Sequence, residues 1–249
     1  ARHLSDLDDA AAIGTKAGER AVARLNPVRL KSGPTTVVFD PRVAGSIIGH
    51  FVGAITGAAI ARRTSFLLEA MDTEVFGPGI TIIDDPHRIR GLRSKPFDGE
   101  GLPTSRRALI DKGVLTTWLL DSASARQLGL APTGHASRGV GGPPGAGTTN
   151  LHMEAGMHSP AELMADIVEG IYVTDLIGQG VNGLTGDYSR GASGFVIRNG
   201  LLAEPVAEVT IAGNLKDMFR HVTPANDLVF RYGTNAPTLR LEGMTLAGD

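Results

Sequence analysis

The chain has 249 residues, 42% hydrophobic and 20% charged, the make-up of an ordinary globular protein with room for a sizeable core. A formal net charge of -2 argues against nucleic acid or an anionic membrane surface as the main partner. With no cysteine, disulfides, thiol chemistry and cysteine metal ligands are all excluded.

The first residues, "ARHLSDLDDAAAIG", contain neither an initiator methionine nor an apolar signal segment. A cytoplasmic location and an origin inside a longer protein are expected from this. "LDDAAAIGTKAGERAVARL" spaces its apolar residues as an amphipathic helix does. "TTVVFD" reads as a short buried strand after Gly33-Pro34. Asp40-Pro41 then has the chemistry of a helix start, a capping carboxylate followed by proline at the first helical position.

The helix predicted there, Val43 to Ala61, carries glycine at positions 45, 49, 53 and 57. Interior glycines cost about 1 kcal/mol each relative to alanine, so the four cost about 3–4 kcal/mol. Close approach of another backbone is the natural compensation. The segment is uncharged and long enough to be weighed as a membrane span. Its Gly and Ala content, with His50, Ser46 and Thr56, favours a buried helix instead.

Further along, "GITIIDDP" and "RRALIDKGVLTTWLLD" read as strands, the second a hairpin turning at Asp111-Lys112-Gly113. His135 to Asn150, "HASRGVGGPPGAGTTN", is too rich in Gly and Pro for regular structure and is expected to be the most mobile internal loop. "SPAELMADIVEGIYV" reads as a helix with a Ser159–Glu162 capping box and Pro160 at its first position. "GFVIRNGLLAEPVAEVTIAG" follows with a turn at Asn199-Gly200, then a helix near "NLKDMF" and a last strand in "TLRLEGMTLAG". The class is α+β: a mainly antiparallel sheet, barrel-like or strongly curved, with flanking helices.

Short motifs give little chemistry on their own. "GQGVNG", Gly178 to Gly183, matches G-x-G-x-x-G, but the reading places a helix before it and glycine-rich turns after it, the reverse of a dinucleotide site. The histidines, His3, His50, His87, His135, His152, His158 and His221, form no H-E-x-x-H, and nothing local predicts a metal site. "TGDYSRGASG" concentrates Asp187, Tyr188, Ser189 and Arg190 between glycines. It reads either as a cleft able to hold an extended peptide or as a turn in which Asp187 and Arg190 pair with each other. Ser189 has no nucleophile-elbow sequence around it.

From "GQGVNGLTGDYSRGASGFVIRNGLLAEPVAEVTIAGNLKDMF" the chain resembles the C-terminal half of the TldD/PmbA family, the "modulator of DNA gyrase" proteins, nearest their PmbA (TldE) branch. The likeness runs from "GPTTVVFDP" to "LEGMTLAG". It implies a C-terminal domain at residues 33–249, with residues 1–32 as a connecting helix from a separate N-terminal domain. TldD-type members carry a zinc-protease helix of the form H-E-x-x-x-H. Matched to it through Val52-Gly53, this chain has Gly49 for the first histidine, His50 for the glutamate and Ala54 for the second histidine.

The resemblance thus implies no zinc in this chain, the metal residing in a TldD-type partner. It implies a non-catalytic subunit in the proteolysis of peptides or unfolded chains, homodimeric when isolated, with no membrane and no direct nucleic-acid contact. His50, Arg138, Asn182, Asp187, Ser189 and Arg190 are the residues nominated to touch substrate or partner. Two other readings stay open: a stand-alone peptidase with an assembled non-zinc site, and a regulator reaching DNA gyrase through protein contacts.

Overall fold

A computed structural model describes all residues, 1–249. Its main sheet contains β1 (Gly33–Phe39), β8 (Glu169–Val181), β9 (Asp187–Arg198), β10 (Leu201–Asn214) and β13 (Leu239–Ala247), paired in that order. β13 pairs back onto β1, from Gly33↔Leu246 to Phe39↔Leu239, so the five strands close into a barrel. Every neighbouring pair in the ring is antiparallel except β1 with β8. The expected class is the one observed. β11 (Thr223–Pro224) extends β13 outside the ring.

Closure explains the continuous apolar run of β1. Val37 and Phe39 enter the main core, while Val38 points to a small cluster with Met164, Ile167 and Ile197 on the other side of the sheet. A strand buried on both faces has no solvent side to mark with polar residues. The β9–β10 hairpin turns at Asn199-Gly200 as expected, with φ of 48° and 80°, the left-handed pair that a two-residue hairpin demands. Gly194 sits in β9 where a Cβ would lie 1.9 Å from the Tyr172 carbonyl oxygen, so that crossing admits no side chain.

A second sheet is built from β2 (Ile82–Asp84), β3 (Arg107–Asp111), β4 (Val114–Leu115), β7 (Leu151–Met153) and β12 (Thr234–Asn235), in the order β12-β7-β2-β3-β4. The β3–β4 hairpin turns at Lys112-Gly113, as read from the sequence. Between the two sheets runs α2 (Pro41–Ala54), capped by Asp40, whose side chain accepts from the Arg42 N–H at 2.9 Å. α3 (Gly57–Ala61) and α4 (Ser122–Leu128) pack beside it, and α6 (Leu215–His221) follows β10 with Asn214 as its cap.

Three elements differ from expectation. The glycine-bearing segment is two helices, broken at Ile55–Thr56, where Leu119 N–H bonds to the Ile55 carbonyl and Gly57 N–H to the Leu119 carbonyl. The Ser159 capping box forms, but its helix α5 (Pro160–Met164) stops early and "EGIYV" enters β8. The β-branched residues there are worth more in the ring beside β1 than in another helical turn. The Gly/Pro segment contains β5 (Ala136–Ser137) and β6 (Gly145–Ala146), paired as a ribbon.

The amphipathic N-terminal helix α1 (Ala10–Val22) forms, capped by Asp9. None of its residues is buried, and Ile13 and Val22 are exposed. No helix is long and apolar enough to cross a membrane.

The stripe glycines do not share one role. A Cβ on Gly57 would lie 2.3 Å from Ser124 Oγ and 2.7 Å from Leu120 Cδ2, whereas Gly49 and Gly53 face open space. Close packing therefore accounts for Gly57 only, a correction to the reading that it explains the whole stripe. Gly57→Ala is expected to cost about 1–3 kcal/mol through overpacking. Gly49→Ala should instead stabilise by about 0.5–1 kcal/mol, the ordinary gain of alanine inside a helix. Urea denaturation of the two variants checks the opposite signs.

Candidate functional site

The open face of α2 is the centre of the site. Ala44, Ile47, Ile48, Phe51 and Ala54 bury the opposite face, so Gly49 and Gly53 are left exposed with His50 half-buried between them. The His50 ring meets Tyr188 of β9 edge to face, centroids 5.8 Å apart. His50 Nε2 and Tyr188 Oη are both buried without a hydrogen-bond partner. Burial lowers the His50 pKa, and the Arg190 charge lowers it further. Burial also pushes the Tyr188 phenol well up, with Arg190 opposing. Arg190 thus acts on both rings, while its Nε donates to the Ile177 carbonyl at 3.3 Å.

The other nominated residues fall elsewhere. Asn182 orders the β8–β9 turn, its Oδ1 accepting from the Leu184 N–H at 2.9 Å. Asp187 accepts from Thr185 Oγ1 at 2.6 Å and Asn214 Nδ2 at 3.1 Å, bonds that lower its pKa. It makes no ion pair with Arg190, contrary to the pairing considered from the sequence, because the residues fall on opposite faces of β9. That segment is strand from Asp187 onward, not turn. Ser189 is exposed on the Asp187 face, and Arg138 leaves β5 for the exposed tip of the Gly/Pro loop. "GQGVNG" begins inside strand β8, whose last four residues are Gly178 to Val181, and leads through a turn into β9, so no helix N-terminus meets it.

Both roots of the Gly/Pro loop are tied down by residues that sequence reasoning passed over. Asp84, at the end of β2, accepts from the Thr149 N–H at 2.7 Å and Thr149 Oγ1 at 2.8 Å, and faces His135 Nε2 at 3.5 Å. All three residues are buried. Asp98 Oδ2 accepts from the Ala136 N–H at 3.0 Å. Buried Asn150 accepts from the Arg93 N–H at 2.9 Å and donates to the Asp85 carbonyl at 2.7 Å. No local motif marks these residues; the only hint was a pair of aspartates closing an apolar run, "IIDDP".

Between α2 and this anchored loop lies a cavity of about 430 Å³ lined by Gly49 and Val52 from α2, with Arg93, Ser137, Thr148 and Thr234 opposite. No three His, Asp or Glu side chains converge anywhere in the chain in a way that could hold a metal ion. At α2 itself the donor set is one imidazole, between a glycine and an aromatic ring. These residues do not fit a zinc centre, which needs three or four ligands of this kind.

His152 on β7 is the second imidazole with a buried orphan, Nδ1, and packs edge to face on Phe230 at 5.0 Å. Its pKa is lowered by burial and then by Arg88, whose guanidinium lies over the same Phe230 ring. Since folding lowers both histidine pKa values, the unfolded chain binds more protons in mild acid. The stability tied to the neutral rings is whole above the ordinary histidine value of about 6.5 and is lost as pH falls through the folded values. The melting temperature should therefore drop on going from about pH 7.5 to about pH 5, and less steeply in a His50→Gln His152→Gln variant. Equal slopes would remove these histidines from the account.

The chain matches the PmbA/TldA metallopeptidase C-terminal domain over residues 32–248. It is 42% identical to the metalloprotease PmbA of Escherichia coli O157:H7, across all of this chain and 53% of that protein. Against the metalloprotease PmbA homolog of Haemophilus influenzae the figures are 37%, all of this chain and 53%. A crystal structure of a putative modulator of DNA gyrase from Bacteroides thetaiotaomicron superposes with a TM-score of 0.89 at 33% identity, covering 99% of this chain and 54% of that one. TldE from Thermococcus kodakarensis, at 23% identity, shares the fold with a TM-score of 0.84 over 96% of this chain and 55% of that one. The chain spans about half the length of the relatives it matches. Closed barrel, intervening helix and sequence agree: the chain belongs to the PmbA/TldD metallopeptidase family and corresponds to its C-terminal domain.

Proposed function

We propose that this chain is the non-catalytic, PmbA/TldE-like subunit of a TldD-type metalloprotease that processes peptides or unfolded chains. The observation that carries the reading is the donor set of α2. Gly49 and Ala54 have no metal-binding atoms, and His50 brings one imidazole with no carboxylate to take a proton from bound water. The family name supports a role in proteolysis, and the site's chemistry supports placing the zinc in a partner. The chain would supply cavity wall and peptide-positioning surface around α2, with α1 as the connection to a further domain. In isolation it would pair with a second copy of itself.

Zinc content by elemental analysis, with peptide hydrolysis measured before and after adding a TldD-type subunit, tests the reading. The expected result is less than about a tenth of an equivalent of zinc. No hydrolysis should occur alone, and chelator-sensitive hydrolysis should appear with the partner. Near-stoichiometric zinc, or chelator-sensitive cleavage by the chain alone, would overturn the non-catalytic assignment.

A further inference from the structure

The cavity beside Gly49 holds a single cation and no carboxylate among its lining residues. Arg93 forms no ion pair, and its guanidinium makes no hydrogen bond within the chain, although eight other arginines are paired with acids. It is nonetheless held in place. Asn150 Oδ1 accepts from its backbone N–H at 2.9 Å, and Asn150 is buried and bonded on its amide side to Ser94 Oγ and the Asp85 carbonyl. The side chain packs against Gly233, where a Cβ would come within 2.2 Å of Arg93 Nε and 2.4 Å of Cζ. A guanidinium resting on bare backbone keeps its planar fork oriented while its N–H groups remain available.

The hydroxyls around it are equally uncommitted. Ser137 and Thr148 make no side-chain hydrogen bond within the chain, and both stand on the loop roots held by Asp84 and Asp98. Gly147 and Gly49 add no side chain to the wall, so an extended backbone can come close on either side. One guanidinium with two hydroxyl donors matches the charge and acceptor number of a single carboxylate.

We infer that this cavity is a carboxylate subsite, in which Arg93, Ser137 and Thr148 receive the C-terminal carboxylate of a peptide lying along the open face of α2. The inference rests on the peptide-positioning role proposed above and names the chemical end of the peptide that this chain grips.

The test compares a fluorescein-labelled tetra-alanine with a free C-terminus and the same peptide as its C-terminal amide, by anisotropy, on this chain without a partner. The free acid should bind about tenfold more tightly than the amide, the size of one charge-assisted bond. Arg93→Gln should abolish that difference, and Arg93→Lys should recover only part of it, because the ammonium keeps the charge and loses the fork. Gly233→Ala keeps Arg93 but moves it off its seat, and should also reduce the preference at an unchanged melting temperature.

Equal binding of acid and amide by the wild type, no binding of either, or a preference that survives Arg93→Gln would each overturn the subsite. Displacement of the peptide by inorganic phosphate at lower concentration than by acetate would overturn its assignment to a carboxylate. The assay needs no zinc and no partner. Zinc in this chain would therefore sink the non-catalytic reading while leaving the acid preference standing, and loss of the preference would sink the subsite alone.

Discussion

Asp84→Ala is expected to cost about 3–5 kcal/mol, the usual penalty for removing one member of a buried charged network. The carboxylate holds the Thr149 N–H, the Thr149 hydroxyl and His135 at once, and none of these groups can reach water when it is gone. For a chain of this size the melting temperature should fall by roughly 6–20 °C. Amide hydrogen exchange should quicken at residues 147–150, because the Gly147 N–H depends on the His135 carbonyl and the Thr149 N–H on Asp84 itself. Asp84→Asn keeps an acceptor in place and should lose less. A cost below about 1 kcal/mol for Asp84→Ala would mean that the loop is held by its backbone pairing alone.

Phe219→Ala should be of similar size, about 3–5 kcal/mol, for a different reason. Phe219 of α6 is fully buried, stacked on Phe76 at 4.5 Å, and meets Phe51 of α2 edge to face at 6.1 Å. Truncation opens a void at the point where three separate segments are pinned together, and rigid strands on either side cannot collapse into it. Phe219→Leu fills most of the space and should cost less than about 1.5 kcal/mol. Guanidinium denaturation of both variants checks the ratio. Similar losses for Leu and Ala would show that the ring stacking, rather than the filled volume, carries the stability.

These two residues also mark how differently the parts of the molecule could be read beforehand. Local chemistry was legible wherever it acts within a few residues. Asp40-Pro41, the Ser159–Glu162 capping box and the Asn199-Gly200 turn all form where the sequence puts them, because each is satisfied by backbone groups one to three residues away. The helix predicted over "SPAELMADIVEGIYV" ended at Met164, because a pairing with β1 more than a hundred residues distant outweighed local propensity. The same limit hid the partner groups of Asp84, 51 and 65 residues further along the chain.

For the candidate site, the sequence directed attention to the right helix and the wrong explanation of its glycines. Gly57 is packed against Ser124 and Leu120, while Gly49 and Gly53 open onto solvent beside His50. A spacing of four residues says that side chains share a helix face; it does not say what that face meets. Of the nominated residues, Arg190 acts on the surroundings of His50, whereas Asn182 orders the β8–β9 turn, Asp187 and Ser189 lie at the start of β9, and Arg138 belongs to a loop tip.

The sequence by itself determined the class, the family, the caps and the turns. Only the tertiary structure decided that the barrel closes through β1 and β13, that Asp84 anchors both ends of a Gly/Pro loop, and that Arg93 is set on Gly233 facing an uncharged cavity wall. The division has one physical cause. Capping and turn energies depend on neighbours along the chain, whereas closure, buried charge and cavities depend on groups that meet only when distant segments are brought together.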